Sequence, residues 1–299
     1  MLINSEEMVM SITYKDSGAD IQFFYDCPVN QIPFRDEVNR IYVGYRQCYS
    51  KDPTAPIVLS AEGEDNILES YKNFCKDSIF VDDQYCGKPI IYDPVDQSIE
   101  YTAANVDAYV KSQCERYGRK EFCVFLTECM FIKSHLRHES PFEHAGLTVR
   151  IVNASRSFSH QWVRSRIASH SQQSQRYVSE KDGNFTLVLP DKIYDNPETR
   201  KIVTDYLDQL PEVVNKLADA GIKNEDIRCI FPNAMSTSIV STMNFREWKH
   251  LFGLRIDSHA QKEIRNISHA IWQYLNERIP FVWADCWDRI IKKVSPIDE

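Results

Sequence analysis

The chain is poor in glycine, with nine in 299 residues, at positions 18, 44, 63, 87, 118, 146, 183, 221 and 253, and no two closer than nineteen residues. A dinucleotide fingerprint and a Walker phosphate loop both need clustered glycines, so any nucleotide must be held by side chains. Also lacking is a Cys-x-x-Cys pair. The nine cysteines are odd in number, which argues against a disulfide framework or a zinc ribbon and suits free thiols in a reducing compartment. No apolar run approaches the ~18 residues of a membrane span, and Met1 to Met10 carries Glu6 and Glu7 where a secretory leader needs positive charge, so a cytoplasmic protein is expected. Nor is there a basic excess: 35 Lys and Arg face 43 Asp and Glu, a net charge of −8, which disfavours a general polyanion binder. What is present, 43% hydrophobic and 12% aromatic residues, is enough for a sizeable core and excludes disorder as the main description.

The negative charge is concentrated. From Ser60 to Glu115 twelve acids meet four lysines, and the rest of the chain balances. That stretch reads as an acidic surface insertion, with turns at Asp82, Asp83, Asp93, Pro94 and Asp96, and a solvated face is a better explanation of its carboxylates than a metal site. Helical spacing of Phe122, Phe125, Leu126, Cys129 and Ile132 predicts a helix over 121–137. Ser140-Pro141-Phe142-Glu143 predicts a second helix start, with Ser140 as cap and Glu143 completing a capping box. Leu147, Val149 and Ile151 alternate as in a strand. Helices are expected over 158–169, over 199–220 with a break at Pro211 and a stop at Gly221, after an Asn244 cap, and after a Ser258 cap with Ile264, Ile267, Ile271 and Leu275 buried and an end near Pro280. The expected class is α/β, a mixed sheet flanked by helices in a single catalytic domain over 1–299, with a helix-rich C-terminal half.

One further lack points to chemistry. The 36 residues from His144 to Ser179 contain no Asp or Glu, while holding Arg150, Arg156, Arg164, Arg166 and Arg176 together with Ser169, Ser171, Gln172, Gln173, Ser174 and Gln175. Arginine presents a planar fork of donors that matches phosphate or carboxylate oxygens, and Ser and Gln satisfy the remaining atoms without adding negative charge. An anion pocket is expected. On a helix over 158–169, Arg166 shares the apolar face of Trp162, Val163 and Ile167 and so calls for a buried anion, with a structural ion pair or a snorkelling side chain as the plainer explanation.

These same residues carry a resemblance. Gln161-Trp-Val-Arg164-Ser165-Arg166 followed by Ser174-Gln-Arg176-Tyr177 resembles the signature of the flavin-dependent thymidylate synthases. His138-Glu139-Ser140-Pro141-Phe142-Glu143-His144 is similar to the family's upstream element, and Asn244-Phe-Arg246, Leu254-Arg255 and Ser258-His259-Ala260-Gln261-Lys-Glu263-Ile264 resemble its C-terminal elements. The resemblance covers about 137–280, with a weaker echo at Arg46 to Ser50. It implies an FAD enzyme that reductively methylates dUMP to dTMP with methylenetetrahydrofolate and NADPH, assembled as a homotetramer with active sites shared between subunits.

Carried over by position, Gln161, Trp162, Val163, Arg164, Gln172, Gln173, Ser174, Gln175, Arg176, Arg228 and Arg255 match dUMP-binding places, Arg228 because it stands four residues before Pro232. His138, Ser140, Arg164, Ser165, Arg166, Gln172, Asn244, Arg246, His250 and His259 match FAD contacts. Arg255 takes the catalytic role, favouring the electron-rich, N3-deprotonated pyrimidine. No base stands at a spacing that would make Ser174 a nucleophile. The one motif departure is Ser165, where the family has histidine: a hydroxyl keeps a donor and loses the ring and its ionisable nitrogen. That departure keeps alive a paralogue acting on another pyrimidine nucleotide or hydroxymethylating it. A nucleic-acid binder built on the Arg/Ser/Gln window with Trp162 and Tyr177 is a third reading, opposed by the overall acidity. Zinc held by His138 and His144 is disfavoured, because six residues turn a helix through 240° and Pro141 intervenes.

Overall fold

The computed structural model describes residues 12–25, 31–79, 91–92, 100–101, 106–177 and 185–289. In chain order, strands β1 (Ile12–Lys15) and β2 (Asp20–Phe23) precede helices α1 (Arg35–Tyr49) and α2 (Ala61–Ile79), short strands β3 (Ile91–Tyr92) and β4 (Glu100–Tyr101), and helices α3 (Val106–Tyr117) and α4 (Arg119–Ser134). A 3-10 turn (Ser140–His144) leads into β5 (Gly146–Ser155), α5 (Arg156–Trp162), β6 (Ala168–Gln172) and β7 (Phe185–Val188). Helices α6 (Asp191–Tyr194), α7 (Pro197–Leu207), α8 (Leu210–Asp219) and α9 (Asn224–Ile227) follow, then a 3-10 turn (Arg228–Ile230), β8 (Ser236–Asn244), α10 (Phe245–Arg255), α11 (Lys262–Arg278) and α12 (Pro280–Arg289). The class is the expected mixed α/β with a helix-rich C-terminal half. The chain divides into two compact units, one comprising 1–24, 148–242 and 261–267, the other 25–147, 243–260 and 268–299. The turn-forming aspartates expected at 82, 83, 93 and 96 lie outside the described residues.

The first unit is organised by a four-stranded sheet in the order β2-β5-β8-β6, with β2 antiparallel to β5 in the register Asp20↔Val152 to Phe23↔Val149. The expected alternation of β5 is present: Leu147, Val149 and Ile151 are buried. Beside the sheet, β1 pairs in parallel with β7, and Phe185, Leu187, Leu207, Leu210, Val214, Ile227 and Met235 form an apolar cluster. The long helix expected over 199–220 is divided as Pro211 requires, because a ring without an N–H is tolerated only in the first turn of α8. Gly221 ends that helix in the left-handed region at φ 83°, its amide and that of Ile222 closing onto the Ala218 and Leu217 carbonyls.

The helix expected over 158–169 is corrected. α5 stops at Trp162, and Ala168 begins a strand. Trp162 is fully buried and its indole N–H donates to Ser241 Oγ at 2.8 Å, so the helix ends where its largest apolar side chain is anchored. Helical period is a poor guide here because Ser169, His170, Ser171 and Gln172 also fit the alternation of an edge strand.

In the second unit α4 covers most of its predicted span, with Phe122, Phe125, Leu126, Cys129 and Ile132 buried. The acidic stretch contributes α2 and α3, which bury Leu68, Tyr71, Cys75, Val106, Tyr109 and Val110, while Glu64 and Asp65 bind Arg119 and Asp107 binds Lys72. Two cap expectations are corrected. Ser140 opens a five-residue 3-10 turn rather than an α-helix, with no side-chain cap, because β5 begins too soon for a capping box to be needed. α11 begins at Lys262, so Ser258 lies in the preceding turn. The Asn244 cap is as expected: its side chain accepts from the Glu247 amide at 2.8 Å. Ile264, Ile267, Ile271 and Leu275 are buried along α11.

A buried carboxylate fixes the junction between β5 and α5. Glu263 accepts from the Ser155 amide at 2.7 Å and from Ser155 Oγ at 2.6 Å, and the same hydroxyl caps α5 by accepting from Phe158 N at 3.0 Å. Burial pushes the Glu263 carboxyl up from its ordinary 4.5, with the Ser155 bonds opposing. Glu263→Ala strands two buried donors, and the unfolding free energy measured in urea should fall by about 2–4 kcal/mol. Because the folded state takes up this proton at higher pH than the unfolded state, its contribution is complete below about 4.5 and is lost as pH rises through the folded value. Glu263→Gln should therefore flatten that part of the stability–pH curve, and an unaltered curve would contradict the assignment.

Candidate functional site

In the first unit the predicted residues gather around the loop between α5 and β6. Ser155 launches α5, Trp162 ends it, and the chain turns through 163–167 with the Arg164 and Ser165 amides bonded back to the Gln161 and Trp162 carbonyls at 3.4 and 3.1 Å. This turn exposes Val163, Arg164, Arg166 and Ile167 and buries Ser165. Arg166 is thus not the buried arginine of the helical projection; the helix ends four residues before it and its guanidinium reaches solvent. Among the described residues, no ion pair or hydrogen bond holds either the Arg164 or the Arg166 side chain.

The neighbouring polar residues are pre-arranged by one another. Gln172 Nε2 donates to Ser159 Oγ at 2.8 Å and Thr237 Oγ1 at 3.2 Å. Gln161 Nε2 donates to the Ser157 carbonyl at 3.1 Å and to Gln261 Oε1. The Gln173 amide joins β8 at the Ser238 carbonyl, and Arg156 donates to the Gln173 carbonyl at 2.8 Å. Arg150 is drawn away, donating to Gln22 Oε1 and stacking over Phe24. Ser174 Oγ accepts from the Arg176 amide at 3.2 Å, Gln175 is half-buried, and Tyr177 is exposed beneath the Arg176 guanidinium.

The carboxylate-free window is not carboxylate-free in space. Glu225, 49 residues further on, accepts from Arg176 at 2.9 Å, and the Glu225 carbonyl accepts from Arg228 Nε at 3.1 Å. Arg176 and Arg228, 52 positions apart, are therefore both brought to Glu225, one on its carboxylate and the other on its backbone carbonyl. Trp162, in contrast, offers no side-chain surface to a ligand, since it is wholly buried and its N–H is engaged.

The second unit holds the other predicted residues. Buried Tyr45 donates to the His138 carbonyl at 2.6 Å and the His135 carbonyl at 3.0 Å, fixing the exit from α4, while the Tyr49 ring lies 4.9 Å from that of His138. Burial pushes the Tyr45 hydroxyl up from its usual value, so it stays a donor. Ser140 is exposed at the start of the 3-10 turn. Arg246, in the first turn of α10, is gripped by Glu143 and approached by Glu139 at 3.9 Å, both acids of the His138 to His144 element. Asn244 spends its carbonyl oxygen on the helix cap, which leaves its N–H groups for other partners. His250 is exposed, Arg255 is half-buried at the end of α10, and His259 is almost fully exposed with Nδ1 on Asp257 at 2.7 Å.

Sequence reasoning missed Lys249, which lies buried between the Asp285 carboxylate at 2.7 Å and the Phe142 ring at 4.1 Å, tying α10 to α12 and the 3-10 turn. No local pattern marks it, because its acid lies 36 positions away. Among the described residues, no group of three or more His, Cys, Asp or Glu is placed to hold a metal ion, and no helix is long and apolar enough to cross a membrane.

Residues 92–281 match the family model described as "Thymidylate synthase complementing protein". The chain belongs to that family. Among curated relatives it is 37% identical over 171 residues to the flavin-dependent thymidylate synthase of Geobacter sulfurreducens, covering 57% of this chain and 72% of the relative. It is 39% identical to that of Thermococcus onnurineus over 57% and 68% of the two chains, and 44% identical to that of Pyrococcus horikoshii over 47% and 57%. All three family elements fall within the matched residues.

In this family member the Arg176–Glu225 pair is exposed on both sides, and such pairs contribute about 0–1 kcal/mol. If Arg176 takes a phosphate, as the resemblance implies, that dianion should displace Glu225 readily. Glu225→Gln should leave the melting temperature within about 2 °C, while calorimetric titration shows tighter binding of a nucleoside monophosphate. Weaker binding would mean that the acid positions Arg176 rather than competing for it.

Proposed function

We propose that this protein is a flavin-dependent thymidylate synthase that converts dUMP to dTMP, with methylenetetrahydrofolate as one-carbon donor and NADPH as reductant, working in the cytoplasm as a homotetramer with shared active sites and with 1–299 serving as one catalytic domain. The observation that carries this reading is the turn at 163–167, which presents Arg164 and Arg166 to solvent with no carboxylate on them among the described residues, inside a chain that belongs to the family. Two exposed guanidinium groups two residues apart, with no carboxylate on them among the described residues, form a cationic surface that suits an anion.

FAD suits the donor set. Arg164 and Arg166 match its phosphates, and His138, Ser140, the Asn244 amide, Arg246, His250 and the unengaged nitrogen of His259 offer further donors, while Ser165 is buried and Gln172 has both side-chain N–H groups on Ser159 and Thr237. When bound, FAD supplies the hydride that this chemistry needs. The chain's own residues do the rest. Arg176 and Arg228 bind the dUMP phosphate, with Arg164 shared between the two ligands. Ser174, Gln161, Gln172, Gln173 and Gln175 orient sugar and base by hydrogen bonds, and Trp162 and Val163 contribute through their backbone. Arg255 stabilises negative charge on the pyrimidine as N3 loses its proton, which enriches C5 in electrons.

Incubation with dUMP, methylenetetrahydrofolate and NADPH, followed by mass analysis, should give dTMP. A hydroxymethyl product would favour the paralogue reading, and colourless protein with steeply salt-dependent oligonucleotide binding would favour the nucleic-acid reading. In the same assay Arg255→Ala should lose at least about a hundredfold in turnover while retaining flavin absorbance, as removal of a charge-stabilising donor does; near-normal turnover would refute its role. Ser165→His should leave turnover equal or higher, since it restores the family residue. A large loss would mean that the serine serves different chemistry here.

A further inference from the structure

We infer that His170 is a positioning residue for the basic turn, holding Arg164-Ser165-Arg166 in shape through a directional chain of hydrogen bonds from Trp162 through Ser241 and His170 to the Ser165 carbonyl; the consequence for ligand affinity rests on the function proposed above.

The alternation of β6 sends Ala168, His170 and Gln172 to the covered side of the sheet and Ser169 and Ser171 to solvent. On the neighbouring strand β8, Thr237, Ile239, Ser241 and Met243 face inward, so its buried side carries two hydroxyls. Each hydroxyl meets one inward residue of β6: Thr237 meets Gln172 at 3.2 Å, and Ser241 meets His170 Nδ1 at 2.9 Å. The other ring nitrogen, His170 Nε2, lies 3.1 Å from the Ser165 carbonyl oxygen.

Proton bookkeeping fixes the direction. A carbonyl only accepts, so His170 Nε2 carries the hydrogen and, in the neutral ring, Nδ1 accepts. Ser241 Oγ accepts from the Trp162 indole at 2.8 Å and turns its own hydrogen toward His170 Nδ1. Every group has one role, and Ser241, fully buried, is satisfied on both sides. The chain starts at the residue that ends α5 and finishes on the backbone between the two exposed arginines, spanning the turn from both ends. Without it, the turn keeps the backbone bonds of the Val163, Arg164 and Ser165 amides, all at its N-terminal end and that of Arg164 at a long 3.4 Å.

The test compares His170→Leu, His170→Gln and Ser241→Ala with the wild-type full chain. Hydrogen exchange at the Arg164 and Ser165 amides should accelerate about tenfold or more in His170→Leu and in Ser241→Ala, with protection in β5 and β7 preserved. His170→Gln, which keeps a donor for the Ser165 carbonyl, should restore much of that protection. The dissociation constants of FAD and dUMP should rise in the same order, about tenfold in His170→Leu, equivalent to ~1.4 kcal/mol, and the KM for dUMP should move more than kcat. Unchanged exchange at these two amides, or equal loss of protection throughout the unit, would overturn the inference, as would failure of the glutamine to rescue. If the wild-type protein binds neither FAD nor dUMP, the functional reading fails, and the exchange measurement still decides the role of His170.

Discussion

The burial of Trp162 is the constraint on which the basic site depends. An indole of that size can be wholly enclosed only if its N–H has a partner, and Ser241 on β8 supplies it at 2.8 Å. That pair stops α5 and obliges the chain to turn within five residues before β6 begins. Within the short turn Ser165 points inward while Val163, Arg164, Arg166 and Ile167 are exposed. Both ends of α5 are thus settled by buried polar contacts with distant strands or helices, Glu263 on Ser155 at the start and Ser241 on Trp162 at the end. Buried, satisfied polar contacts of this kind specify geometry more than they add net stability.

Charge is distributed with the same economy. Where a guanidinium needs fixing, an acid is provided: Glu225 for Arg176, and Glu143 with Glu139 for Arg246. At Arg164 and Arg166, exposed on the turn, the described residues provide none. Exposed pairs such as Arg176–Glu225 are weak and exchangeable. The buried Lys249–Asp285 pair is different in kind. It is shielded from water and stacked on Phe142, so it braces the element that carries Ser140 and Glu143.

The single motif departure, Ser165, is set in a local structure that accommodates it. Its side chain is buried and its carbonyl is held by His170. A residue at this position contributes through its backbone as well as its side chain, which is a physical reason for a serine to be compatible with an intact turn.

Much of this protein is legible from residue order alone. Alternation of Leu147, Val149 and Ile151 marks β5, Pro211 and Gly221 punctuate α7 and α8, Asn244 caps α10, and the absence of acids along the chain marks the window that holds the exposed Arg164 and Arg166. Each of these signals acts over a few residues through sterics, periodicity or capping, so it is written locally. The extent of α5 was not legible, because 158–169 satisfies a helical period while 168–172 also satisfies a strand period, and only the contact of Trp162 with Ser241 selects between them. The start of α11, the 3-10 form of the Ser140 turn, the Glu225 partner of Arg176 and the buried Lys249 likewise rest on groups 36 or more positions apart or on the space left by neighbouring strands. Local chemistry determined which elements this chain could support. Tertiary packing decided which arginines face solvent, since burial and partner choice are properties of contacts that residue order does not contain.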